Sequence, residues 1–201
     1  MYPGRTVYLF LFFCFLCGSA LAENYRTYTT ASISDFTDKT EVEAAAVEML
    51  REEIYKRTLI DLSGSNRQAA LRLVVGTRKS LGSHREYESL LSGSGSPKAD
   101  GFTVKYHFEG NAPYILIAGD DPRGLLFGIG YVLRKARLSR NRIEIPQSLS
   151  LTTAPVVTLR GHQLGYRPKV NSYDGFTVDM WEQYIRDLVV FGTNAVELLP
   201  P

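Results

Sequence analysis

Cysteine is nearly absent from this chain. Its 201 residues hold two, Cys14 and Cys17, and both lie within the first 22. Once that segment is removed no disulfide can form, so buried apolar surface must hold the fold together. About 180 residues are enough for that. Histidine is also scarce. His84, His107 and His162 are too scattered for metal-ligand spacing, and no H-E-x-x-H occurs, which excludes a zinc-protease reading. Charge of one sign is lacking too, with 23 basic against 21 acidic residues, a formal net of +2. Loss of Arg5 with the first segment leaves 22 against 21, or +1. That balance argues against nucleic acid or an anionic membrane as partner. There is no second apolar run of membrane length, no internal repeat and no long low-complexity stretch.

The first 22 residues have the three parts of an export signal. Arg5 supplies a cation, Val7 to Leu16 an apolar run, and Ala20-Leu21-Ala22 a small-residue cleavage site before Glu23. The run is shorter than the roughly 20 apolar residues a spanning helix needs. The chain is therefore expected to be secreted or periplasmic, free of the membrane after cleavage between Ala22 and Glu23.

Residues 24 to 34 read as one strand rich in Tyr and Thr. A helix is expected from Asp38, capped by Asp38 with Glu41 completing a capping box, and ending near Arg57. Val42, Ala46, Met49, Leu50 and Ile54 form its apolar stripe. Leu71 to Val75 is a strand. Ser83 to Leu91 is a short helix with Ser83 and Glu86 as a second box. Ser92 to Pro97 is a flexible loop. Phe102 to Phe108 alternates apolar and polar residues, as a half-buried strand does. Tyr114 to Ala118 is a more continuously apolar, central strand, and the two make a hairpin through turn residues 109–113. Asp121 caps the next helix with Pro122 at its first position. Leu125, Leu126, Ile129, Val132 and Leu133 form its stripe, and Arg134, Lys135 and Arg137 lie near its end. Arg142 to Ile145 is a short strand. The fold class to about residue 150 is thus α/β: a mixed sheet with helices packed on it.

The character changes near Ala154-Pro155. Thr158 to Leu164 reads as a strand, Gly165 to Phe176 as a polar loop, Thr177 onward as a helix with Trp181, Ile185, Leu188 and Val189 on one face, and Asn194 to Leu199 as a strand. That is one βαβ unit, the building block of a parallel sheet or barrel. Its strands lack neighbours, so the sequence reads as the front of a longer protein.

Two segments resemble a known family. Asp121-Pro-Arg-Gly-Leu-Leu-Phe-Gly-Ile-Gly-Tyr-Val-Leu-Arg134 resembles the last helix of the accessory domain that precedes the catalytic barrel in family 20 glycoside hydrolases and in α-glucuronidases. Ala154-Pro-Val-Val-Thr-Leu-Arg160-Gly161 resembles the RG segment opening the first barrel strand. The resemblance is strongest from Asp121 to Pro201 and weak before Leu71. Beyond the signal peptide read over 1–22, it implies an accessory domain over 23–153 and the start of a truncated (β/α)8 barrel over 154–201. It also implies a carbohydrate substrate and no cofactor. In that family the RG arginine reaches the sugar, and Arg160 is the matching position; a guanidinium fork can donate to two hydroxyls. His162-Gln163-Leu164-Gly165 stands where the family has an apolar run and an aspartate, which keeps an α-glucuronidase-like branch open. His162, Gln163 and the loop to Asp174 are expected to face the barrel mouth. Arg160, His162 and Asp174 are thus the candidate substrate contacts, with Ser172 and Tyr173 nearby. The family's catalytic Asp-Glu pair lies on a later strand, so no catalytic residue is assigned, and the chain alone is expected to be inactive. The alternative is a non-catalytic carbohydrate-binding or structural module.

Asp120-Asp121 reads as helix-start chemistry, not a catalytic carboxylate pair. Gly124, Gly128 and Gly130 lack nucleotide-loop spacing; Gly124 and Gly128, four apart, would let the helix lie close on the sheet.

Overall fold

A computed structural model describes residues 23–62, 69–93, 95–108, 113–164 and 172–198. The signal-peptide reading, Ala22 included, lies outside them, as do the turn residues 109–112 and the loop residues 165–171.

The segment 24–34 is two strands, not one. β1 (Tyr25–Tyr28) and β2 (Ala31–Asp35) belong to different sheets. A bend at Thr29 separates them and lets Tyr28 and Ala31 each enter the core. The first helix, α1 (Glu41–Thr58), starts two residues later than Asp38 predicts. Thr40 is its cap, and its side chain and that of Glu43 satisfy each other's backbone N–H. Two x-x-x-E pairs compete here, and burial of Glu43 with Ala46, Val47 and Leu50 selects the second. Asp35 at the end of β2 accepts from Thr37 and pairs with Lys39 in the segment before the helix.

β3 (Leu71–Thr77) leads directly into α2 (Arg78–Gly82), capped by Thr77 with Ser80 as its partner. α3 (Arg85–Ser92) follows, with His84 at the cap and no side-chain cap bond, so the expected Ser83/Glu86 box does not form. β4 (Phe102–His107) and β5 (Tyr114–Gly119) pair antiparallel as the expected hairpin. β4 is more buried than its alternation implies, because β8 covers its other edge and Thr103 meets Thr152 there. α4 (Pro122–Lys135) is capped by Asp121 with proline at its start. Three short strands follow: β6 (Arg137–Ser139), β7 (Arg142–Pro146) and β8 (Ser150–Thr153). Arg137 therefore lies beyond the helix.

The principal sheet has the order β2-β3-β5-β4-β8, with β2, β3 and β5 parallel and β5 central. Alternation splits its side chains between two cores. Leu73, Val75, Ile115 and Ile117 meet α1 and α4; Val74, Leu116 and Ala118 meet α2 and α3. Each fully buried Leu or Ile contributes about 1.5–3 kcal/mol. A small antiparallel sheet, β1-β7-β6, closes one end through Tyr28, Ile143 and Ile145.

Residues 154–198 form the βαβ unit. β9 (Gly161–Leu164) is shorter than the expected Thr158–Leu164. A 3-10 turn (Ser172–Gly175) leads to α5 (Val178–Val190), capped by Thr177, and β10 (Ala195–Leu198) runs parallel to β9. α5 packs on α4 closely enough that a Cβ on Gly130 would lie 2.9 Å from Val190 Cα.

Candidate functional site

Arg160 precedes β9 by one residue, so it sits at the strand's N-terminal end. Its Nη2 donates to Asp100 Oδ2 (2.9 Å), its Nε to Gly192 O (2.8 Å) and its Nη1 to Val157 O (3.0 Å) and Thr158 O (3.3 Å). The guanidinium also lies 5.0 Å from the centre of the Phe127 ring on α4. All three nitrogens are thus engaged with protein. Asp100, its carboxylate only 4% exposed, also faces Arg123 Nε at 2.8 Å. Its own N–H donates to Asp121 Oδ2 at 2.8 Å. Asn194 completes the network: its Oδ1 accepts from Arg160 N at 2.9 Å and its Nδ2 donates to Thr158 O at 2.7 Å.

His162 was expected at the barrel mouth beside Gln163. A strand cannot send two successive side chains to the same face. His162 turns to the helix side, where its Nε2 lies 2.9 Å from Tyr184 Oη of α5. Tyr184 belongs to an aromatic cluster with Tyr173, Phe176 and Trp181, at centroid distances of 5.5 to 6.3 Å. The hydrogen bond with Tyr173, then partial burial, hold the Tyr184 phenol above its usual pKa. Composition announces these aromatics, but only the fold gathers them. Tyr173 sits in the 3-10 turn, at the end of the unit toward which β9 runs. The side chains of Ser172 and Asp174 lie outside the described residues.

Gln163 and Glu197 are the polar residues of the opposite face. They are in register on β9 and β10, as are His162 and Val196 on the helix side. Ala195 and Val196 both line a cavity of about 270 Å³ with Ile185, Leu188 and Val189 of α5, and it is the pairing of Val196 with His162 that marks the helix side. Gln163 and Glu197 are both exposed. Spacing alone gave no sign that the two would meet.

The remaining candidates have local roles. Asp120 accepts from Arg78 Nε (2.8 Å) and Lys98 N (2.9 Å), and Asp121 from Gly124 N (2.7 Å). A Cβ on Gly124 would lie 2.0 Å from Gly101 O, and one on Gly128 would lie 3.1 Å from Ile117 Cγ2. His84 packs on Phe36, and His107 on Tyr114. Glu23 accepts from Ser148 Oγ (2.7 Å) and Tyr25 Oη (3.1 Å); the Ser148 bond leads in lowering its carboxyl pKa. Among the described residues no three His, Cys, Asp or Glu side chains group as metal ligands. No helix among them is long and apolar enough to cross a membrane.

No protein-family model and no curated protein matches this chain in sequence. Solved structures match it in fold. A family GH115 4-O-methyl-α-glucuronidase aligns with a TM-score of 0.59 and 14% identity, over 87% of this chain and 25% of its own. A family GH20 exo-β-N-acetylglucosaminidase from Vibrio harveyi, as an inactive mutant, gives 0.55 and 14%, over 88% and 23%. The chitobiase of Flavobacterium johnsoniae gives 0.52 and 15%, over 88% and 26%. The chain thus spans about a quarter of the length of these proteins, and it has an α/β fold that occurs within glycoside hydrolases.

Proposed function

We propose that this chain is the front part of an exported glycoside hydrolase: a signal peptide over 1–22, an accessory domain over 23–153, and the first βαβ unit of a (β/α)8 barrel from 154. One packing observation carries the reading. Among the described residues of 154–198 only Leu164 is buried, and α5 buries none. Of the twelve large hydrophobics left exposed among the described residues, eight lie in this unit, among them Val156, Leu159, Val178 and Phe191. Parallel strands are ordinarily covered on both faces, so this surface fits a barrel wall awaiting its neighbours. The fold shared with glycoside hydrolases supports the same reading.

In this reading the accessory domain braces the barrel. Arg160 and Asp100 rivet the two together, and the segment carrying Tyr173 and Asp174 borders the mouth, where a carbohydrate substrate would bind. His162 orients Tyr184 beneath that segment. The mature protein would start at Glu23 and be secreted or periplasmic, a reading that rests on the export-signal pattern of residues 1–22.

The test is to express the whole reading frame and assay 4-methylumbelliferyl glycosides, including the N-acetylglucosaminide and the glucuronide. Turnover is expected from the whole product and none from residues 23–201. A whole product that neither cleaves nor binds any saccharide would overturn the enzyme reading.

A further inference from the structure

We infer that Gln163 and Glu197 contact the sugar ring of the substrate, in place of the RG arginine. This rests on the barrel reading above and names the side chains of its site that meet the ligand.

The argument begins with the two faces of the β9–β10 pair. His162 turns to α5 and Val196 is in register with it, so by strand alternation Gly161, Gln163, Ala195 and Glu197 share the other face. In a closed barrel that face is the interior. Its first layer is Gly161 beside Ala195, which suits close packing. Its second layer is Gln163 beside Glu197. A carboxylate walled in without partners is costly, and barrel interiors are filled by branched apolar side chains. An in-register Glu–Gln pair in such a wall therefore needs water or a polar ligand opposite it.

Position points the same way. The layer is the one nearer the C-terminal ends of both strands, where ligands of parallel α/β folds bind. Arg160, by contrast, is at the N-terminal end and spends its three nitrogens on Asp100, Gly192, Val157 and Thr158. The chemistry suits a hydroxyl-bearing ring. Parallel strands lie about 4.8 Å apart, so the two side chains can reach neighbouring hydroxyls of one pyranose. The Glu197 carboxylate accepts, and the Gln163 carboxamide both donates and accepts. No described side chain hydrogen-bonds to either group.

The experiment uses the product of the whole reading frame and the 4-methylumbelliferyl glycoside it cleaves best. Q163A and E197Q are each expected to raise KM about tenfold or more, with kcat changed far less, since the first removes a ground-state hydrogen bond to substrate and the second strips the charge from one. E182Q, on the outer surface of α5, should leave both constants unchanged. Unfolding midpoints check that the variants fold; should E197Q or Q163A unfold, Q163N, which only shortens the side chain, carries the test. If the wild type turns over a glycoside while Q163A and E197Q keep its KM, this inference falls and the glycoside hydrolase reading stands. If the wild type neither cleaves nor binds any saccharide, both fall.

Discussion

Arg160 Nη2 donates to Asp100 Oδ2 across 2.9 Å, joining residues 60 apart in sequence and the two parts of the fold. Arg123 faces the same carboxylate from α4, and the backbone at Asp100 is left-handed, with φ 58°. Asparagine tolerates that conformation, so Asp100→Asn removes the charge without straining the chain. Two guanidinium groups would then face a neutral amide. The arginines that remain reach solvent, so the loss is that of charge-assisted hydrogen bonding, about 1.5–3 kcal/mol. Chemical denaturation of D100N should show a loss of that order, and an unchanged midpoint would rule out the rivet.

Glycine at two positions sets how closely backbone approaches backbone. A Cβ on Gly124 would meet Gly101 O at 2.0 Å, and one on Gly130 would meet Val190 Cα at 2.9 Å. Neither neighbour is a flexible side chain. Overpacking of this kind costs about 1–3 kcal/mol. G124A should therefore lower global stability, whereas G130A should chiefly loosen α5 from α4. Faster hydrogen exchange confined to α5 in G130A is the expected signature; uniform exchange across both variants would contradict it.

Tyr28 and Tyr106 share one hydroxyl–hydroxyl bond inside the core. Burial, then the bond to Tyr106, raise the Tyr28 phenol well above its usual pKa. Y28F leaves the Tyr106 hydroxyl buried and unpaired, at a cost of about 1–3 kcal/mol. The Y28F/Y106F double variant removes both polar groups and should be closer to wild type than either single variant. A double variant as unstable as the sum of the singles would refute this.

Asp35 has a lowered pKa. Burial alone would raise it, but the hydrogen bonds from Lys39 and Thr37 outweigh that effect. A carboxylate whose folded pKa lies below its unfolded one contributes stability that is full above the unfolded value. That contribution fades as pH falls through the folded value. Urea midpoints measured from pH 6 downward should decline in the acid range, and D35N should flatten part of the decline. An equally steep decline in D35N would assign the acid sensitivity elsewhere.

Much of the fold is legible in the residues. The apolar run of β5, the Asp121-Pro122 start of α4 and the start of α5 at Thr177 are local signals, and each is met within a residue of where it was expected. Local signals fail where two compete. Asp38/Glu41 and Thr40/Glu43 have the same spacing, and burial of Glu43 selects the later pair. Ser83/Glu86 has that spacing as well, yet His84 takes the cap position. The short strands β6 and β8 were missed because three or four residues carry no period; sheet pairing with β7 and β4 makes them strands.

The sequence by itself determined the mixed α/β character, the hairpin, the helix stripes and the closing βαβ unit, because period and capping act within a few residues of the chain. Only the tertiary structure decided what the site residues do. Arg160 came to Asp100 because the βαβ unit packs on the sheet-and-helix layers that precede it. His162 and Gln163 parted because strand pleating sends neighbours to opposite faces. Gln163 came to stand beside Glu197 because two strands 34 residues apart pair in parallel register. Such meetings depend on long-range packing, which local pattern does not encode.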